Sequence, residues 1–165
     1  MTTFTIVHVV LSLIGIISGF VVAAGLLSSK RLDGWTILFL ATTLATSLTG
    51  FGFPVDRLLP SHVVGAISVV VLAIALYARY RQLMAGGWRS IYVVTAVAAL
   101  YLNVFVLVVQ LFLKVPALNA LAPTQTEPPF AIAQLVVLVA FAGLGAAAVK
   151  RFRLPLTRVG SIAAV

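Results

Sequence analysis

Residues 91–114 read IYVVTAVAALYLNVFVLVVQLFLK, and this stretch decides the fold. At 1.5 Å of rise per residue it is long enough, as a helix, to cross a hydrocarbon layer of roughly 30 Å. Val, Leu, Phe and Ala fill most of it. Asn103, Gln110 and Lys114 nevertheless recur at i, i+7 and i+11, which at 100° per residue keeps them within about 20° of one line. Carried back toward the start, that line passes Ala99, Ala96 and Tyr92. A carboxamide in hydrocarbon costs several kcal/mol unless it is hydrogen-bonded. The stripe therefore predicts a face turned into a helix bundle, with Asn103 and Gln110 both inward.

Composition points the same way. Of the 165 residues 62% are hydrophobic and 8% charged, against about 25% charged in a soluble domain. The expected fold is an all-α integral membrane protein: a bundle of five transmembrane helices over residues 1–150, with a basic tail over 151–165. The spans are read at about 4–27, 35–53, 62–80, 91–113 and 130–149. The first lacks a basic leader and exceeds the apolar stretch of a signal peptide, so it is read as retained. The chain has no cysteine, which excludes disulfides, thiolate metal sites and cysteine nucleophiles.

The net charge of +8 is explained by placement rather than by nucleic acid. Nine of the eleven basic residues (Lys30, Arg31, Arg79, Arg81, Arg89, Lys150, Arg151, Arg153 and Arg158) fall on one side of the predicted bundle. Arg57 and Lys114 fall on the other. The positive-inside rule then predicts an amino terminus outside and a carboxyl terminus in the cytoplasm. Tyr77, Tyr80 and Trp88, beside Arg79, Arg81 and Arg89, read as interface anchors. Asp56 and Arg57 read as a solvated pair in the loop between spans 2 and 3.

Span 1 carries His8, Ser12, Gly15, Gly19 and Ala23, a small-residue seam that predicts close helix packing and, in an oligomer, a candidate subunit interface. Span 2 is rich in Thr and Ser, hydroxyls that can return their hydrogen bonds to their own helix. The outer loop KVPALNALAPTQTEPPF, residues 114–130, is stiffened by four prolines and expected to be non-helical in places. Glu127 and Pro128 suit the start of span 5.

Three functional readings follow. The first is an outer-side pocket for a small or lipophilic ligand, with Asn103, Gln110, Gln134, Lys114 and Tyr101 supplying polar contacts, or else an accessory role in a larger membrane complex. The second is a redox module holding haem or quinone through His8 and His62, with Gly15 and Gly65 leaving room for a ring plane and Asp56 or Glu127 as further metal ligands. The third is an oligomeric channel or transporter. A packing-only role for the carboxamides, as glue between helices, competes with the pocket. No HExxH, GxSxG, phosphate loop or carboxylate pair is present, so the reading leans away from an enzyme. Membrane lipids and a homo-oligomer or larger complex are the expected partners.

The stretches TSLTGFGFP (46–54), LLPSHVVG (58–65), ALYLNVFVLVVQ (99–110), KVPAL (114–118) and APTQTEPPF (122–130) together resemble a group of small bacterial inner-membrane proteins of unassigned function. That resemblance implies a bacterial cytoplasmic membrane and carries no functional residue.

Overall fold

The computed structural model describes residues 3–52 and 60–153. The expected Asp56–Arg57 pair and the tail beyond Arg153, Arg158 included, lie outside them. Six helices follow in order: α1 (Thr3–Leu27), α2 (Asp33–Gly50), α3 (Pro60–Leu76), α4 (Trp88–Lys114), α5 (Pro116–Leu121) and α6 (Pro128–Arg151). There is no strand among the described residues. A π-helical turn, Tyr77–Arg81, continues α3.

Among the described residues four helices are long and apolar enough to cross a membrane: α1, α3 with its π-turn from His62 to Arg81, α4 and α6. Helix α2 falls short because it opens on Asp33 and carries six hydroxyl residues. Those hydroxyls are largely masked. Thr42, Ser47 and Thr49 donate to the carbonyls of Leu38, Thr43 and Ala45 one turn back.

Local chemistry sets the ends. Helix α1 stops in a Schellman turn, with Ser29 in the left-handed region at φ 56° and Lys30 N–H donating to Gly25 O at 2.8 Å. Helix α2 ends at Gly50 and the chain turns at 51–52, short of the expected 53, because Gly50 and Gly52 weaken the last turn. Pro116, expected to interrupt helix, instead starts α5, where its missing N–H is not needed. Pro128 plays the same part in α6, with Glu127 as N-cap.

Helix α4 is the hub, packing against α1, α3 and α6, while α2 lies against α1 and α3. Three connections meet at one end of the bundle. Ser29 of the α1–α2 turn donates to Arg153 O and accepts from Arg153 N–H. Arg89, at the start of α4, donates to Val149 O at 3.1 Å and to Phe152 O. Arg79, after α3, donates to Asp33 at the start of α2. This is the basic end. Phe152 is fully buried against Tyr92, so the bundle extends past residue 150 rather than giving way to a tail at 151.

The core is displaced toward that end. Leu26, Phe39, Leu72, Ala75, Ala78, Met84, Tyr92, Ala96, Leu100 and Phe152 belong to one buried cluster. In α1 no residue before Gly15 is buried, and in α4 burial stops at Leu100 except for Phe112. The reason is the seam. Gly19 admits Leu100 and Phe39 against the α1 backbone, and Gly25 admits Leu32. Toward the far end the residues of α1 are mostly larger and point outward. Gly15, Gly19 and Ala23 of the seam are therefore buried within the chain.

Candidate functional site

The mid-bundle junction is built on Gly15. A Cβ there would lie 3.1 Å from Thr43 Oγ1, 3.3 Å from Thr42 Oγ1 and 3.5 Å from Asn103 Nδ2, so α1, α2 and α4 meet at this point. Asn103 Nδ2 donates to Thr43 Oγ1 at 3.0 Å, and Thr43 is fully buried. The inward placement expected of Asn103 holds.

That of Gln110 does not. Gln110 is exposed and its side chain makes no hydrogen bond among the described residues, and Lys114 is exposed at the end of α4. Both stay near the same angular line, but the neighbours give out. Helices α1 and α2 close on α4 around Leu100 and Asn103, and α2 has ended at Gly50. The stripe is continuous on α4 and buried only where partners reach it.

Gln134 sits on α6 and donates from Nε2 to the backbone carbonyl of Phe105 at 3.2 Å, while its Oε1 is buried without a partner. This bond ties α6 to α4 and agrees with carboxamides acting between helices. It does not bring Gln134 to Asn103 in any described hydrogen bond.

Tyr101 lies in an apolar groove of about 270 Å³ between α4 and α6, open on one side. Val94, Val97, Ala98 and Tyr101 line it from α4, Phe141 and Gly145 from α6. The Tyr101 ring stands 5.8 Å from Phe141 and 6.1 Å from Phe105. Of the five residues expected to line a pocket, Tyr101 alone borders this groove. The groove extends from Tyr101 toward the basic end, so it is not the outer-side pocket anticipated.

The two histidines flank the far end of α2. His8 Nδ1 lies 2.9 Å from Thr49 Oγ1. Thr49 Oγ1 also donates to Ala45 O within α2. His62 packs on the ring of Phe51 at 5.8 Å. The room reserved for a ring plane is taken. Thr42, Thr43 and Asn103 fill the space beside Gly15, and the Phe51 ring stands 3.2 Å from a Cβ at Gly65. The residues present do not fit a haem between these helices. Ser12 donates to His8 O within α1. Glu127 accepts from Thr124 N–H and Oγ1 and from Thr126 N–H, closing its own loop. No group of three metal-ligating side chains forms among the described residues.

The largest departure from the sequence reading is at the basic end. Arg79, expected as an interface anchor, is 2% exposed. Its Nη2 donates to Asp33 Oδ1, which also lies 3.5 Å from Arg31 Nε. The guanidinium stands 5.1 Å from the Tyr92 ring centroid and 5.7 Å from that of Tyr80. A π-turn re-aims the end of α3 so that Arg79 points into the bundle, and such turns are frequent at functional sites. Nothing in the sequence distinguished Arg79 from Arg81, which is exposed.

Compared with family models, with curated proteins and with solved structures, the chain matches none.

Proposed function

We propose that the chain is a five-span membrane protein, amino terminus outside and basic end cytoplasmic, that holds a lipophilic molecule in the α4–α6 groove. Its role is binding rather than catalysis. The observation that carries this is the groove itself. Its volume of about 270 Å³ falls just below that of ligand pockets, roughly 300–1,000 Å³, which suits part of a chain-like molecule, and Tyr101 supplies the single polar side chain of its lining. An acyl or isoprenoid tail suits such a lining, with a polar head toward Tyr101.

The fifth span is supported by connectivity. Helices α1 and α3 both finish at the basic end, so α2 has to run from that end to the other, and its 18 residues reach roughly 27 Å. The orientation rests on the charge of the loops that meet at the basic end.

The test is lipid extraction and mass spectrometry of protein purified in mild detergent, for the wild type and Gly145→Leu. Gly145 lines the groove, and a Cβ there would meet Val97 Cγ1 at an ordinary 3.6 Å, so a leucine is introduced from the groove wall. One species near one per chain, depleted in the variant, is expected, and its mass separates a quinone from an acyl lipid. A bulk lipid profile that is the same in both proteins would end this reading. A second reading is favoured by α6, of which Ala148 alone is buried: a partner helix would cover that face, and a co-purifying membrane subunit would be its sign.

A further inference from the structure

The bonds between Ser29 and Arg153 bring together two cationic segments that lie 124 residues apart in the chain. Ser29 Oγ donates to Arg153 O at 2.7 Å and accepts from Arg153 N–H at 2.8 Å, so this clasp holds backbone and does not use the guanidinium. On one side of it the α1–α2 turn carries Lys30 and Arg31. That turn is fixed by Lys30 N–H on Gly25 O at 2.8 Å and by the Leu32 side chain, which packs onto Gly25. On the other side Phe152 is fully buried, while its neighbours Arg151 and Arg153 are exposed. Lys150, in the last turn of α6, is exposed as well. Lys30, Lys150, Arg151 and Arg153 form no ion pair among the described residues, and Asp33 is engaged by Arg79 and Arg31. Like charges gathered in this way repel one another, and an anion among them removes that cost.

From this arrangement we infer that the clasp organises a binding surface for the phosphate headgroup of an anionic phospholipid, built on Lys30 and Arg153 with Lys150 and Arg151 adjoining. The four cations are exposed, so no cavity has to open. The last carbonyls of a helix ordinarily repel an anion, but Arg89 covers those of Val149 and Phe152. The depth is that of headgroups. Tyr77 and Trp88, with rings 5.3 Å apart, and the exposed Tyr80 give the same end an interfacial aromatic belt. Basic clusters immediately beyond membrane helices attract anionic lipid, and a bilayer supplies its phosphates at high local concentration. The surface rests on the reading that this end lies at a bilayer face, and not on the α4–α6 groove or its occupant.

The experiment is native mass spectrometry of the full chain in detergent, titrated with phosphatidylglycerol or with phosphatidylcholine of the same acyl chains. Wild type, Lys30→Gln/Arg153→Gln, Ser29→Ala and the control Arg81→Gln are compared. The wild type is expected to bind its first phosphatidylglycerol more tightly than phosphatidylcholine. Lys30→Gln/Arg153→Gln keeps the backbone bonds of the clasp and should cut that preference by about fivefold for each charge removed, as a cation near a lipid surface contributes. Ser29→Ala removes no charge and should still cut the preference, because the two segments are no longer tied. Arg81→Gln removes an exposed charge from the same end outside the clasp and should change it least. Binding of either lipid is what a spanning chain requires; the difference between them is what this inference adds. A wild type that does not distinguish the two lipids, or a Ser29→Ala preference equal to that of the wild type, overturns the site in favour of unorganised surface charge. Inorganic phosphate in large excess should leave phosphatidylglycerol bound to the wild type, and its displacement would overturn the lipid site in favour of a soluble phosphate. The wild-type comparisons decide independently of any variant.

Discussion

Replacing Gly19 with alanine asks whether the seam sets the stability of the bundle. A Cβ at Gly19 would lie 2.5 Å from Leu100 Cδ1 and 2.9 Å from Phe39 Cε2. Both partners are about 1% exposed, so neither has free volume to move into. Inserting a methyl into a filled core costs typically 1–3 kcal/mol, while glycine to alanine inside a helix returns up to about 1 kcal/mol. With the full return the balance is a net loss of up to about 2 kcal/mol. Gly145→Ala is the internal control, because its Cβ meets Val97 at an ordinary 3.6 Å and should leave stability unchanged or slightly raised. Reversible unfolding in mixed micelles measures both. Leu100→Val removes the atom that approaches most closely, so the Gly19→Ala/Leu100→Val pair should show a favourable coupling of about 0.5–2 kcal/mol. Equal stability of Gly19→Ala and Gly145→Ala, or purely additive effects in the double variant, would refute this account of the seam.

Other expectations concern the polar contacts. The Asn103–Thr43 hydrogen bond should give a coupling energy of about 0.6 kcal/mol, and no more than about 1.7, in an Asn103→Ala/Thr43→Val cycle, the average and maximum found between membrane helices; a value near zero would show that the two helices close without it. Arg89→Met leaves the carbonyls of Val149 and Phe152 without their cationic donor and should cost roughly 1–2 kcal/mol. Faster amide exchange confined to the last turn of α6 is its signature, and unchanged exchange there would contradict it. At Glu127, desolvation pushes the carboxyl up, but hydrogen bonds from Thr124 and Thr126 outweigh it and hold the group below its ordinary 4.5. A depressed folded-state value means that the loop contribution is fully present above about pH 4.5 and is lost as pH falls through the folded value. Amide exchange at Thr124 and Thr126 should therefore accelerate in acid, and Glu127→Gln should abolish that dependence.

The helices were legible because apolar runs bounded by Pro, Gly and charged residues leave few alternatives, and the observed limits lie within about three residues of those expected for most spans. Asn103 was legible for a related reason, since a carboxamide at mid-span has to find a partner. Gln110 was not. Periodicity tells which residues share a line on one helix but not how far the neighbouring helices extend along it. Arg79 was hidden in the opposite sense. A run of Tyr and Arg at a helix end describes an interface anchor and a buried ion pair equally well, and it took the π-turn to rotate one arginine inward. The groove could not be read because it depends on the separation of α4 and α6, which small residues permit without fixing.

The Ser29–Arg153 tie has a consequence for biogenesis. Its two partners are 124 residues apart, and one of them follows the last described helix. While the chain is being synthesised, the α1–α2 hairpin, α3 and α4 can all be inserted before either end of this clasp exists as a pair. The buried Phe152 arrives at the same moment, and with it the last wall around Tyr92. The basic end is thus closed only after α6 has been made, because Phe152 and Arg153 both follow it in the chain.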